Sequence, residues 1–343
     1  MIVGQTQNSS SDVPNADNSQ RIGWQGITID LPEDWSLTGF GGDLSSGTLR
    51  CDSADPESLT LPVGLECRWI GAKKAPSESQ IRSRAESLLA AIQKAAKRAK
   101  TEADTSVYEE GGEPFDGRSP AFRFAWRTDR AAAGAIWYCS VCKRVVIVQV
   151  YGLGGRPFVR QAEAILQSIR CHGADPKWRT WGLYGLRVDV PADYELVSQK
   201  VMNVYLQLLF KRGRSSDTLT VEQWSLANVQ LKGAYLDEWF ERKRDEAVVG
   251  IELDKQERVV NGHDALWLTG KRVGVAALAD TVRSTVRFKR AALWFSGQLW
   301  ECPPSNKTYL VQSLSRRDQP DIVEATASRV RCHRNDDEKR QGE

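Results

Sequence analysis

The chain writes one series of landmarks twice. "GITIDLPEDWSL", Gly26 to Leu37, returns as "GLRVDVPADYEL", Gly185 to Leu196. Both read Gly, apolar, polar, apolar, Asp, apolar, Pro, x, Asp, aromatic, x, Leu. Trp69 in "LECRW" has a later counterpart, Trp224 in "TVEQW". "GAIWYC", Gly134 to Cys139, returns as "GQLWEC", Gly297 to Cys302, and Cys171-His172 returns as Cys332-His333. Landmarks in one order, at an offset of about 160 residues throughout, are the mark of a tandem duplication. Whatever the first half folds into, the second must fold into as well. Residues 21–173 and 178–334 therefore read as two copies of one domain, joined by "GADPK". Residues 1–20 and 335–343 are polar and read as tails. The length of 343 residues fits two domains.

Each copy carries the same coarse pattern. The opening stretch alternates Ile27 and Ile29 with Thr28 and Asp30, a strand ending at a Pro-x-Asp turn. Two further strands follow, and then a helix. In the first copy Ser77 and Gln80 form a capping box, and Ile81, Ala85, Leu88, Leu89 and Ile92 make one apolar face. In the second, "AYLDEWFERKRDEAV" is the counterpart, with Leu236, Trp239, Phe240 and Val248 as its apolar face. Three antiparallel strands and a last helix running into Arg-Cys-His complete each copy. The expected class is α+β, two tandem copies of a mainly antiparallel sheet with helices packed on it.

The "LPxDW" opening, the mid-domain helix and Gly262-His263-Asp264-Ala265 before a long antiparallel stretch resemble the PsbP-like fold, which includes DcrB-like and Mog-type proteins. The resemblance covers both copies. It implies a non-catalytic module for binding or assembly.

Cysteine and histidine carry the chemistry of interest, because the chain has three histidines and seven cysteines. "CPPSNK" after Trp300 is a turn by composition, so Cys302 ends one strand. Cys139-Ser140-Val141-Cys142 aligns with it, and Cys-x-x-Cys in a tight turn directs two sulfurs to one point. If the last helix returns to this turn, Cys139, Cys142, Cys171 and His172 supply a tetrahedral set for structural zinc. The second copy supplies Cys302, Cys332 and His333, with Ser305 where Cys142 stands. Three other readings remain open: disulfides Cys139–Cys171 and Cys302–Cys332, buried unlinked thiols, and for "CSVCK" a haem-attachment motif with Lys in place of His. Adjacent residues at a helix end point about 100° apart, which argues against one metal taking both Cys and His of a pair. Cys51 and Cys67 lie in expected strands without counterparts and read as core or surface residues. His263 opens a strand opposite Arg118 in the other copy and reads as ordinary structure.

Several function classes are excluded or disfavoured. No nucleophile with a base, no Gly-Lys-Ser/Thr phosphate loop and no His-Glu-x-x-His motif stands out. "YGLGGRP", Tyr151 to Pro157, is a Gly-rich loop before a helix whose counterpart, "LSRRDQP", lacks the glycines. A net charge of +3 is too balanced to argue for nucleic acid by itself. The basic stretches Lys94–Lys100, Lys211–Arg214 and Arg287–Arg290 read singly as solvated faces, and only together as a patch for nucleic acid or an acidic partner. No apolar run reaches membrane-spanning length. The start has no basic segment followed by an apolar one, so the cytoplasm is the expected compartment. The reading is a cytoplasmic tandem binding or scaffolding module whose partner is another protein, with a Cys/His link closing each copy. The alternative is an enzyme or regulator with its ligand in a cleft between the copies.

Overall fold

The computed structural model describes residues 19–56, 58, 61–109, 118–243, 248, 251–272 and 294–333. The expected tails therefore lie outside the described residues, apart from 19 and 20, as do the basic stretch 287–290 and part of the second copy's helix. Contacts divide the chain into two compact units, Met1–His172 and Gly173–Glu343.

Unit 1 opens with a hairpin of β1 (Ser19–Trp24) and β2 (Ile27–Pro32). Gln25 and Gly26 form its two-residue turn at φ 51° and 83°, which is why the landmark "GITID" begins with glycine. A seven-stranded sheet follows. It is built from β3 (Trp35–Gly42), β4 (Ser46–Ser53), β5 (Pro62–Gly71), β6 (Asp104–Glu109), β7 (Arg118–Arg127), β8 (Ala131–Cys139) and β9 (Arg144–Gly152). The order is β3-β4-β5-β9-β8-β7-β6, antiparallel throughout. Helix α1 (Glu78–Ala99) joins β5 to β6 and α2 (Arg156–Ser168) follows β9. The capping box of Ser77 and Gln80 is formed at the start of α1. Ile81, Ala85 and Leu89 from α1 pack on Phe122, Phe124 and Ile136 of the sheet. Each large apolar side chain buried there contributes about 1.5–3 kcal/mol.

Unit 2 has the same order of strands. The hairpin is β10 (Trp178–Leu183) and β11 (Leu186–Pro191). The sheet strands are β12 (Tyr194–Met202), β13 (Tyr205–Arg212), β14 (Thr218–Ser225), β15 (Ile251–Val260), β16 (His263–Arg272), β17 (Trp294–Cys302) and β18 (Lys307–Ser315). They are ordered β12-β13-β14-β18-β17-β16-β15. The described helices are α3 (Ala227–Leu231), α4 (Leu236–Lys243) and α5 (Pro320–Ala327). Trp239 and Phe240 of α4 pack on Leu268, Phe295 and Leu299.

The α+β expectation is overturned. The protein is mostly β, with antiparallel sheets and few helices, and among the described helices only α1 and α2 exceed eight residues. The physical reason lies in the density of alternating β-branched and aromatic residues, which extends strand pairing over most of each unit. No described helix is long and apolar enough to cross a membrane.

Candidate metal centres

Two strand-connecting turns and two chain segments create the sites. In unit 1, β8 ends at Cys139 and β9 begins at Arg144, the two residues being paired across the hairpin. The four residues between include Cys142, and Lys143 takes the left-handed conformation that closes the turn. In unit 2, Cys302 pairs with Lys307 at the same place. There Pro303–Ser305 forms a single 3-10 turn and Asn306 is left-handed. The turn expected from "CPPSNK" is therefore present.

The Arg-Cys-His segments reach these turns in extended form, not as helix ends. α2 stops at Ser168, whose hydroxyl accepts the Asp30 N–H at 3.1 Å. Arg170 then pairs with Thr28 of β2, N–H to carbonyl in both directions at 2.8 Å. In unit 2 Val330 lies opposite Val188 of β11, and the Arg331 N–H donates to the Arg187 carbonyl at 2.8 Å. This corrects the expectation that adjacent Cys and His would diverge. Off the helix, both side chains of each pair turn to the same point.

The result is two clusters of four. Cys139, Cys142, Cys171 and His172 place one candidate ligand atom each within 4.8 Å of one another. So do His263, Cys302, Cys332 and His333. In unit 1, His172 Nδ1 lies 3.4 Å from Cys139 Sγ and 3.6 Å from Cys171 Sγ. In unit 2, His333 Nδ1 lies 3.3 Å from both sulfurs, and His263 Nε2 lies 3.4 Å from Cys332 Sγ and 3.2 Å from His333 Nδ1. Tetrahedral zinc, with Zn–S near 2.3 Å and Zn–N near 2.0–2.1 Å, requires about 3.8 Å between sulfurs, about 3.6 Å between sulfur and nitrogen and about 3.4 Å between nitrogens. The sulfur–nitrogen and nitrogen–nitrogen separations, 3.2–3.6 Å, lie near that frame. All seven cysteines are free thiols.

His263 is the member of the second cluster that the sequence reading did not place there. It opens β16 directly after the Asn261-Gly262 turn, and Ala265 two residues on faces Trp300, two residues before Cys302. The Ser305 hydroxyl donates to the Cys302 carbonyl at 3.4 Å, and the fourth Cys/His member of the second set comes from β16 instead of from the turn. In unit 1 the corresponding place holds Arg118, which is buried, donates to the Ile169 carbonyl and lies 4.5 Å above the Trp137 ring. Cys51 and Cys67 are fully buried core thiols on β4 and β5, and burial pushes Cys51 up to about 12.

The surroundings treat the sulfurs differently. Hydrogen bonds from Cys142 and Cys171 hold the Cys139 thiol below the ordinary range, and the same contact raises Cys142. Burial raises Cys332 to about 12 and, with the neighbouring His333, lowers His263. The indole nitrogens of Trp137 and Trp300 are buried and find no partner in ordinary hydrogen-bond geometry. Each nevertheless lies near a sulfur, Cys171 and Cys332 respectively, although Cys139 raises the first thiol and burial raises the second. An orphaned donor beside a sulfur fits a metal-bound thiolate, which accepts where a thiol accepts poorly.

No family model matches this chain, and no curated protein matches it. Two solved structures align along most of its length. One is the apo structure of immunity protein TplEi of T6SS from Pseudomonas aeruginosa, 9% identical over 91% of this chain and 96% of that one, with a TM-score of 0.31. The other is the Tle4-Tli4 complex, 8% identical over 93% and 98%, with a TM-score of 0.28. Neither is described as PsbP-like or DcrB-like. Similarity at this level assigns neither a fold family nor a role.

Proposed function

We propose that this chain is a non-catalytic binding protein made of two duplicated units, each closed by a structural zinc centre. Unit 1 supplies Cys139, Cys142, Cys171 and His172; unit 2 supplies His263, Cys302, Cys332 and His333. The observation that carries this reading is the presence of four convergent ligand atoms in each unit, drawn from the sheet and from the segment that ends the unit. Four protein ligands leave no open position for substrate or water, which is the character of a structural site and not a catalytic one. Its effect is mechanical: the metal fastens the last segment to the sheet hairpin.

A protein partner suits the surface better than a small molecule. Val197, Val201 and Met202 are exposed on β12, an outer strand of unit 2's sheet. Outer strands with apolar side chains accept an added strand from another chain. Free thiols beside such centres accord with a reducing compartment such as the cytoplasm.

Elemental analysis of the purified chain, paired with a free-thiol count before and after chelation, tests the reading. Two zinc ions per chain, with five cysteines becoming reactive only after chelator and denaturant, is the expected result. Absence of metal together with two disulfides would replace it with the covalent link.

A further inference from the structure

We propose, resting on the reading that the clusters hold a divalent metal, that Arg144 is the built-in counter-charge of the unit 1 centre and makes it the tighter of the two. Three thiolates and one imidazole around a divalent ion leave one net negative charge; two thiolates and two imidazoles leave none. A net charge inside a protein is costly unless a fixed opposite charge lies beside it.

Arg144 occupies that position. It is 6% exposed. Among the described residues it forms no ion pair with a carboxylate. Strand pairing sets it opposite Cys139, and its Nη1 donates to the Gln25 carbonyl at 2.7 Å in the β1–β2 turn. The point at Gly26 where a side chain would begin is 3.7 Å from Arg144 Nη1 and 3.8 Å from the Cys171 carbonyl oxygen, so the guanidinium shares its surroundings with a cluster cysteine. Burial holds the guanidinium below its ordinary range, and negative charge on Cys142, Cys171, Cys139 and the Asp43 carboxylate offsets part of that cost.

Unit 2 provides the internal comparison. Opposite Cys302 stands Lys307, which is only half-buried and donates to the Gly185 carbonyl at 3.3 Å. The hairpin contact is kept, while the buried, permanently charged fork is replaced by a flexible ammonium. The deeper cation thus accompanies the set with more thiolates.

Cobalt(II) titration of metal-free, full-length protein tests this, because thiolate-to-cobalt charge-transfer absorption grows with each bound thiolate. In the unaltered chain the first equivalent is expected to show three-thiolate intensity and the second two-thiolate intensity. Chelator challenge of the zinc form, followed by alkylation and mass spectrometry, is expected to label Cys302 and Cys332 before Cys139 and Cys171. Arg144→Gln keeps a hydrogen-bond donor without the charge; it is expected to weaken the unit 1 centre by about 10–100-fold and to reverse the filling order. Arg144→Lys is expected to preserve the order. The proposal is overturned if Arg144→Gln fills unit 1 first with unchanged affinity, if Arg144→Lys loses as much as Arg144→Gln, or if unit 2's cysteines are labelled last. If the unaltered chain binds neither cobalt nor zinc, the metal reading itself fails, a result distinct from any of these.

Discussion

His263 Nε2 lies 3.2 Å from His333 Nδ1 although 70 residues separate them in the chain. Among the described residues no carboxylate bridges them, and two imidazole nitrogens so close repel unless a proton or a metal lies between. Their rings meet edge to face at 70°, with centroids 4.9 Å apart, and His333 Nδ1 lies 3.3 Å from Cys302 Sγ while His263 Nε2 lies 3.4 Å from Cys332 Sγ.

His263→Ala should therefore remove one metal ion from the chain and leave the other. Adding Ser305→Cys in that background rebuilds in unit 2 the turn geometry of Cys139 and Cys142, and is expected to restore binding at least in part. Metal content by elemental analysis decides it. A single variant that loses both ions, or neither, contradicts the assignment of His263 to the unit 2 centre alone.

Gly134 and Phe124 face each other across β7 and β8. A Cβ on Gly134 would lie 2.2 Å from Phe124 Cζ, well inside contact distance. Gly134→Ala should destabilise unit 1 by about 1–3 kcal/mol through overpacking. Phe124→Leu in the same chain should recover part of that loss, giving a non-additive pair in a urea-denaturation cycle. Strict additivity would show that the ring moves aside freely.

Asp52 gives a pH signature. Burial raises its carboxyl, but hydrogen bonds from Thr38 at 2.5 Å, Tyr151 at 3.0 Å and Arg50 at 3.2 Å outweigh that and hold it below the ordinary range. The folded pKa is thus lower than the unfolded value of about 3.9. Its stabilisation is complete above that value and is lost as pH falls through the folded pKa. Asp52→Asn should be less stable than the parent at pH 7, with the gap narrowing below about pH 4. Urea midpoints at pH 7 and pH 3 measure this; a gap that widens in acid reverses the sign.

The duplication made most of both centres legible. Cys139, Cys171 and His172 recur as Cys302, Cys332 and His333, and the turn holding Cys142 could be read from "CPPSNK". His263 escaped because the same logic pairs it with Arg118, a residue that ligates nothing. The usable signal was Asn261-Gly262, a two-residue hairpin turn that puts His263 at the end of a strand level with Cys302. The extended course of Arg-Cys-His was not legible, because it depends on pairing between Arg170 and Thr28, far apart in sequence. The helical share was overestimated for a related reason. The face of α1 was read correctly from its spacing, whereas the unit 2 segment of the same period is helical only from Leu236 to Lys243 among its described residues.

The pairing of Arg170 with Thr28, and of Val330 with Val188, also bears on how such a chain can arise. Each unit finishes beside the hairpin with which it starts. A unit whose exit lies next to its entrance can be copied head to tail with a handful of connecting residues. It can also be cut elsewhere and rejoined across its native ends, since those ends are already neighbours. Gene duplication acting on such a unit leaves the two copies free to diverge residue by residue, down to which element supplies the fourth member of the Cys/His cluster.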